Sequence, residues 1–167
     1  SINSRFLDGY SYTILKDDEG HRYLYSYVIM YQWGWESVVK KKKYLLDKAT
    51  DFDKAKFFGA SAQRTYLIYA TGSKLYAYDY VAEKVQLLQD FGDQEITLLH
   101  CDLLVETGAG DDFFYVGTYD PSLPKETGGT LTKYRVVNDP NNIIVEKVPG
   151  FSGSGLCKIK SIDFKKN

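Results

Sequence analysis

What most limits this chain is a group of short apolar runs that recurs. Segments 66–70 (YLIYA), 74–79 (KLYAYD), 84–88 (KVQLL) and 95–99 (EITLL) form one set of four. Segments 113–117 (FFYVG), 130–134 (TLTKY), 143–147 (IIVEK) and 158–163 (KIKSID) repeat it run for run, with a longer loop at 120–129. A looser copy precedes both, over 12–15, 22–27, 39–46 and 54–60. Each run has the length of a strand. A period of roughly 40 to 60 residues holding four such strands is the sequence signature of propeller blades.

The separators support strands joined by tight turns. Lys16-Asp17-Asp18-Glu19-Gly20 offers consecutive charges with no face to bury and a closing Gly that accepts a positive φ. Gly72-Ser73 is a glycine-led two-residue hairpin signal, Val81-Ala82-Glu83 separates the next pair, and Asn138-Asp139-Pro140-Asn141-Asn142 is a turn cluster. No window keeps an apolar stripe at helical spacing for three turns, and 45–56 is the one moderate helical candidate, its alternatives being a strand end and a loop. The expected fold is therefore all-β: antiparallel four-stranded blades, about three of them, over residues 12–60, 66–104 and 113–164 of a single domain spanning 1–167. Closed rings need about four or more blades, so such a chain would be an incomplete propeller or a fragment of one. The rival is a β-sandwich or meander of about twelve strands.

Composition agrees and removes several partners. Fifteen Tyr and nine Phe, with many β-branched residues, suit a pleated, half-buried surface. At 44% hydrophobic the chain has enough apolar matter to fold. Its 21 Lys and Arg balance 22 Asp and Glu, so no basic excess points to nucleic acid. No run approaches the roughly 18 apolar residues of a transmembrane helix. The chain opens at Ser1 with neither Met nor a charged-plus-apolar leader, which reads as a mature form or an excised fragment. Cys101 and Cys157 lie in apolar, strand-like runs and are expected as free, packed thiols, with one disulfide as the alternative.

Segments 66–79 (YLIYATGSKLYAYD), 87–99 (LLQDFGDQEITLL) and 148–164 (VPGFSGSGLCKIKSIDF) resemble the C-terminal propeller region of Bacteroidetes surface lipoproteins of the PKD-like family. The resemblance covers most of 54–167 and is looser before that. It implies a periplasmic or outer cell-surface location and a binding role in nutrient uptake, and it carries no catalytic residues. The family's lipid-bearing Cys and N-terminal region have no counterpart in this sequence.

Motifs for chemistry are absent from the sequence. His21 and His100 are far apart, and His100 beside Cys101 on a strand would point to the opposite face, so they form no nucleophilic pair. There is no GxSxG, HExxH, P-loop or GxGxxG. Gly108-Ala109-Gly110-Asp111-Asp112 lacks the alternating ligands of a calcium loop and reads as a solvated turn. No catalytic residue, metal or cofactor is expected. Two surface features remain. Tyr31-Gln32-Trp33-Gly34-Trp35 places Tyr31, Trp33 and Trp35 at a hairpin tip, where rings stack on sugars or on a partner protein, or else cover the rim of the core. Lys40 to Lys43 form a lysine run suited to an exposed edge strand, where it discourages edge-to-edge pairing, or to an anionic surface. The expected function is a non-enzymatic extracytoplasmic binding module with a glycan or protein ligand. A protein-interaction scaffold, self-associating through sheet edges, is the alternative, and a propeller-type hydrolase or lyase is a more distant one.

Overall fold

A computed structural model describes residues 10–32, 35–60, 66–102, 112–138 and 142–161. They form eleven strands in three antiparallel sheets. The N-terminal sheet is β1 (Tyr10–Lys16), β2 (Arg22–Gln32) and β3 (Trp35–Leu45), in that order. The central sheet is β4 (Phe57–Ala60), β5 (Tyr66–Thr71), β6 (Lys74–Asp79) and β7 (Lys84–Asp90). The C-terminal sheet runs β8 (Glu95–Asp102), β9 (Asp112–Tyr119), β10 (Gly129–Asn138) and β11 (Ile143–Leu156). The protein is all-β, three meander sheets in a propeller-like series that does not close on itself among the described residues.

The central sheet explains the run with the least polar interruption. Residue pairs Ile68–Ala77 and Ala70–Leu75 lie on one face of the β5–β6 ladder, and Leu67–Tyr78 and Tyr69–Tyr76 on the other. The first face joins Ile96, Leu99, Cys101, Phe114 and Val116 of the C-terminal sheet in one core. The second packs with Leu24, Leu46, Ala49 and Phe52 in another, where the Tyr69 and Tyr76 rings stack at 5.3 Å. A strand covered on both sides has no solvent face to mark with polar residues, so β5 reads YLIYAT and is buried throughout. Each Leu or Ile buried there contributes about 1.5–3 kcal/mol.

The grouping into blades differs from the sequence reading by one strand. β4 bonds to β5, and β8 bonds to β9 rather than closing the set 66–99. The reason lies in the connections. Hairpin turns carry polar or glycine residues: Asp17 Oδ1 accepts from the Glu19 and His21 amides, Gly72 takes φ +60°, and Asp79 Oδ1 accepts from the Val81 and Ala82 amides. The links that change sheets instead carry apolar anchors. Phe91 packs into the core between the central and C-terminal sheets. Leu46, Ala49 and Phe52 fill the core on the other side, and the helical candidate at 45–56 contains only a 3-10 turn, Phe52–Lys54. The final expected strand is also revised: 157–161 carry no strand, and 162–164 lie outside the described residues. This tail crosses the C-terminal sheet, where the Lys158 amide donates to the Lys125 carbonyl and Lys158 Nζ meets Glu95 at 2.9 Å.

The layers are clipped at both margins. Gln86 of β7 donates to the Ile143 carbonyl at 2.5 Å and accepts from the Ile143 amide at 3.1 Å, joining β7 to β11. Gly59 of β4 faces Cys101 of β8 so closely that a Cβ on Gly59 would lie 2.3 Å from the Cys101 Sγ. Cys101 is buried, as expected, but Cys157 is exposed, because it lies in the tail and not in a strand; neither is in a disulfide.

Candidate binding site

On β2, Leu24 turns inward to the core and the residues beside it alternate to the opposite face. That face carries Tyr23, Tyr25 and Tyr27, all half-buried. Their rings form a row: Tyr23 to Tyr25 is 6.4 Å between centroids, and Tyr25 to Tyr27 is 6.4 Å with planes 16° apart. Leu15, paired with Tyr23 across β1, is 42% exposed at one end of the row. On the other side β3 supplies Lys43 opposite Tyr25 and Lys41 opposite Tyr27. Lys43 Nζ sits 3.7 Å from the centroid of Tyr23 and 5.8 Å from that of Tyr25, so its charge lies against the electron-rich ring faces. The result is a strip of parallel or tilted rings with the Lys43 ammonium against one end. Planar apolar faces with a charged border suit a ligand that has flat faces and polar edges.

The sequence missed this row as a site, although the signal was there: Tyr at three alternate positions, 23, 25 and 27, around a buried Leu24. The rings expected as a site lie farther along the same hairpin. Tyr31 is in β2 opposite Glu36, and Trp35 starts β3 opposite Gln32, so the backbone does form a hairpin there. Trp33 lies outside the described residues, as do 108–111 of the expected solvated turn. The lysine run falls in β3, an edge of its sheet, where Lys42 and Lys43 are exposed.

A second concavity, about 470 Å³, opens between the β1–β2 turn and the 46–54 link. His21 Nδ1 is 2.5 Å from Asp47 Oδ2, and His21 Nε2 is 3.7 Å from Glu19. The hydrogen bond to Asp47, then its charge, raises the His21 pKa above the ordinary histidine value. Arg22 pairs with Asp53 and lies over the Phe52 ring. Tyr69 donates to the Thr50 carbonyl at 2.8 Å and Thr71 to that of Asp51 at 3.0 Å, which fixes the link against the central sheet. These ion pairs tie the first turn to the linker. Among the described residues, no Ser, Thr or Cys lines the cleft beside the histidine. Among the described residues, no three His, Cys, Asp or Glu are grouped to hold a metal ion. His100 and Cys101 do separate as strand neighbours: Cys101 enters the core, whereas His100 lies 6.2 Å from the Tyr115 ring.

No helix among the described residues is long and apolar enough to cross a membrane. Compared with known proteins, the chain matches no family model, no curated protein and no solved structure.

Proposed function

We propose that this chain is a non-enzymatic binding module of an extracytoplasmic, cell-surface assembly, and that it engages its ligand on the outer face of the N-terminal sheet. The observation that carries this reading is the half-buried row Tyr23, Tyr25 and Tyr27 on a face turned away from the core. Tyrosine presents a large, rigid contact area at low entropic cost, and a row on a strand holds its rings in fixed register. Tyr31 of β2 and Trp35 of β3 lie farther along the same two strands, which supports the same placement. The location rests on the resemblance to surface lipoproteins.

The sheet edges support a second, compatible role. Lysines on β3 discourage strand addition there, which leaves β1 as the edge suited to pairing with a further sheet, from another copy or a longer parent. Affinity electrophoresis through gels containing a panel of polysaccharides tests the binding role. Retardation that disappears in Tyr23→Ala/Tyr25→Ala, with an unchanged circular dichroism spectrum, is the expected result. Migration unaffected by every polysaccharide, or equal retardation of the variant, overturns it.

A further inference from the structure

The charges of this chain are not spread evenly over its sheets. The strands of the N-terminal sheet hold Lys16, Arg22 and Lys40 to Lys43 against the single carboxylate of Glu36. The strands of the other two sheets have at least as many carboxylates as cations, and the chain as a whole has a net charge of −1. The one strongly basic sheet is thus also the one that presents the tyrosine row. Within the lysine run the register sets position 43 opposite Tyr25 and position 41 opposite Tyr27, the alternate positions that match the row.

From this coincidence we infer that the strip takes an acidic polysaccharide, a chain of uronate-type sugars. The inference rests on the binding-module reading and adds the ligand's chemistry to it. Sugar rings lie on the faces of Tyr25 and Tyr27, while carboxylates on the polymer's edge meet the Lys43 ammonium, which caps the Tyr23 ring. Lys43 is already held against the Tyr23 ring, so it is oriented before the ligand arrives. A single-stranded nucleic acid also combines stacking with phosphate charge. Which of the two polyanions the strip takes is an outcome that the titration below distinguishes.

The test uses the full chain and isothermal titration with three polymers: polygalacturonate, the same polymer fully methyl-esterified, and a single-stranded oligonucleotide. Polygalacturonate should bind, with an affinity that falls as salt rises. Esterification should weaken binding at least tenfold, as should Lys41→Gln/Lys43→Gln, whose melting temperature shows whether it remains folded. Tyr25→Phe should retain the affinity and Tyr25→Ala should lose it. Equal binding of the esterified polymer overturns the acidic-ligand inference but leaves the binding module standing. Tighter binding of the oligonucleotide overturns the choice of polymer. If no polymer binds and the broader polysaccharide panel also fails, both readings fall.

Discussion

Placing a methyl group on Gly59 probes how the central and C-terminal sheets meet. In Gly59→Ala the new Cβ would lie 2.3 Å from Cys101 Sγ and 2.4 Å from Cys101 Cβ. Heavy atoms at rest stand about 3.5–4.0 Å apart, so the two strands must separate by about 1 Å or the Cys101 side chain must move. Cys101 is a buried member of the core, packed with Ile68 and Phe114, and has little room to do so. Overpacking of this kind costs about 1–3 kcal/mol. Alanine also restricts the unfolded chain, which returns about 0.4–1 kcal/mol. From the midpoints of these ranges the net loss is about 1.3 kcal/mol, and at about 2–4 °C per kcal/mol for a chain of this size the melting temperature should fall by about 3–5 °C. Thermal denaturation followed by circular dichroism measures it. The double variant Gly59→Ala/Cys101→Gly moves the side chain from one strand to the other and should be more stable than the sum of its single changes implies, by about 1 kcal/mol. A Gly59→Ala protein that melts at or above the parent temperature, or strictly additive single variants, would refute the close approach of β4 and β8.

Other perturbations reach the remaining contacts. Tyr69→Phe removes the hydroxyl that donates to the Thr50 carbonyl and should cost about 1–3 kcal/mol in urea unfolding; burial raises the Tyr69 pKa, so in the parent protein this hydroxyl should ionise after free tyrosine in an alkaline absorbance titration. Gln86→Leu breaks both bonds to Ile143 and should lower stability by about 1–3 kcal/mol, whereas an unchanged urea midpoint would deny that this clip joins β7 to β11. The His21 pKa is raised in the folded protein, so its pairing with Asp47 stabilises the fold fully below pH about 6.5 and that contribution is lost as pH rises through the raised value. Asp47→Asn should accordingly lower the His21 pKa seen by NMR and destabilise the protein more at pH 5.5 than at pH 8.5, both pH values being chosen to lie about a unit or more from 6.5. Trp33 and Trp35 are the chain's two tryptophans, so fluorescence reports on positions 33 and 35 alone, and acrylamide and iodide should both quench it; emission resistant to both would place the rings in the core.

Much of this architecture was legible in the residues. The alternation around Leu24, the Asp and Gly turns, and the unbroken apolar run of β5 each state a local preference that the fold obeys. The assignment of strands to sheets was not legible from periodicity, because a strand buried on both faces looks the same whichever neighbour it bonds. Phe91 and the series Leu46, Ala49, Phe52 held the missing information, since they are the connection residues that pack into the two cores. The site was legible in part. The tip aromatics attract notice as tryptophans, whereas Tyr23, Tyr25 and Tyr27 pass as ordinary strand residues until the inward side of β2 is known. The meaning of the lysine run likewise depends on tertiary placement, because only the sheet register puts Lys43 opposite Tyr25.

The most direct measurement is NMR of the chain with isotope-labelled tyrosine rings, titrated with polygalacturonate. The ring signals of Tyr23, Tyr25 and Tyr27 should shift together and saturate, while those of Tyr69 and Tyr78, fully buried in the core between the N-terminal and central sheets, should stay in place. Saturable shifts confined to tyrosines outside the row, or an unchanged spectrum at saturating polymer, would contradict the assignment of this face as the binding surface.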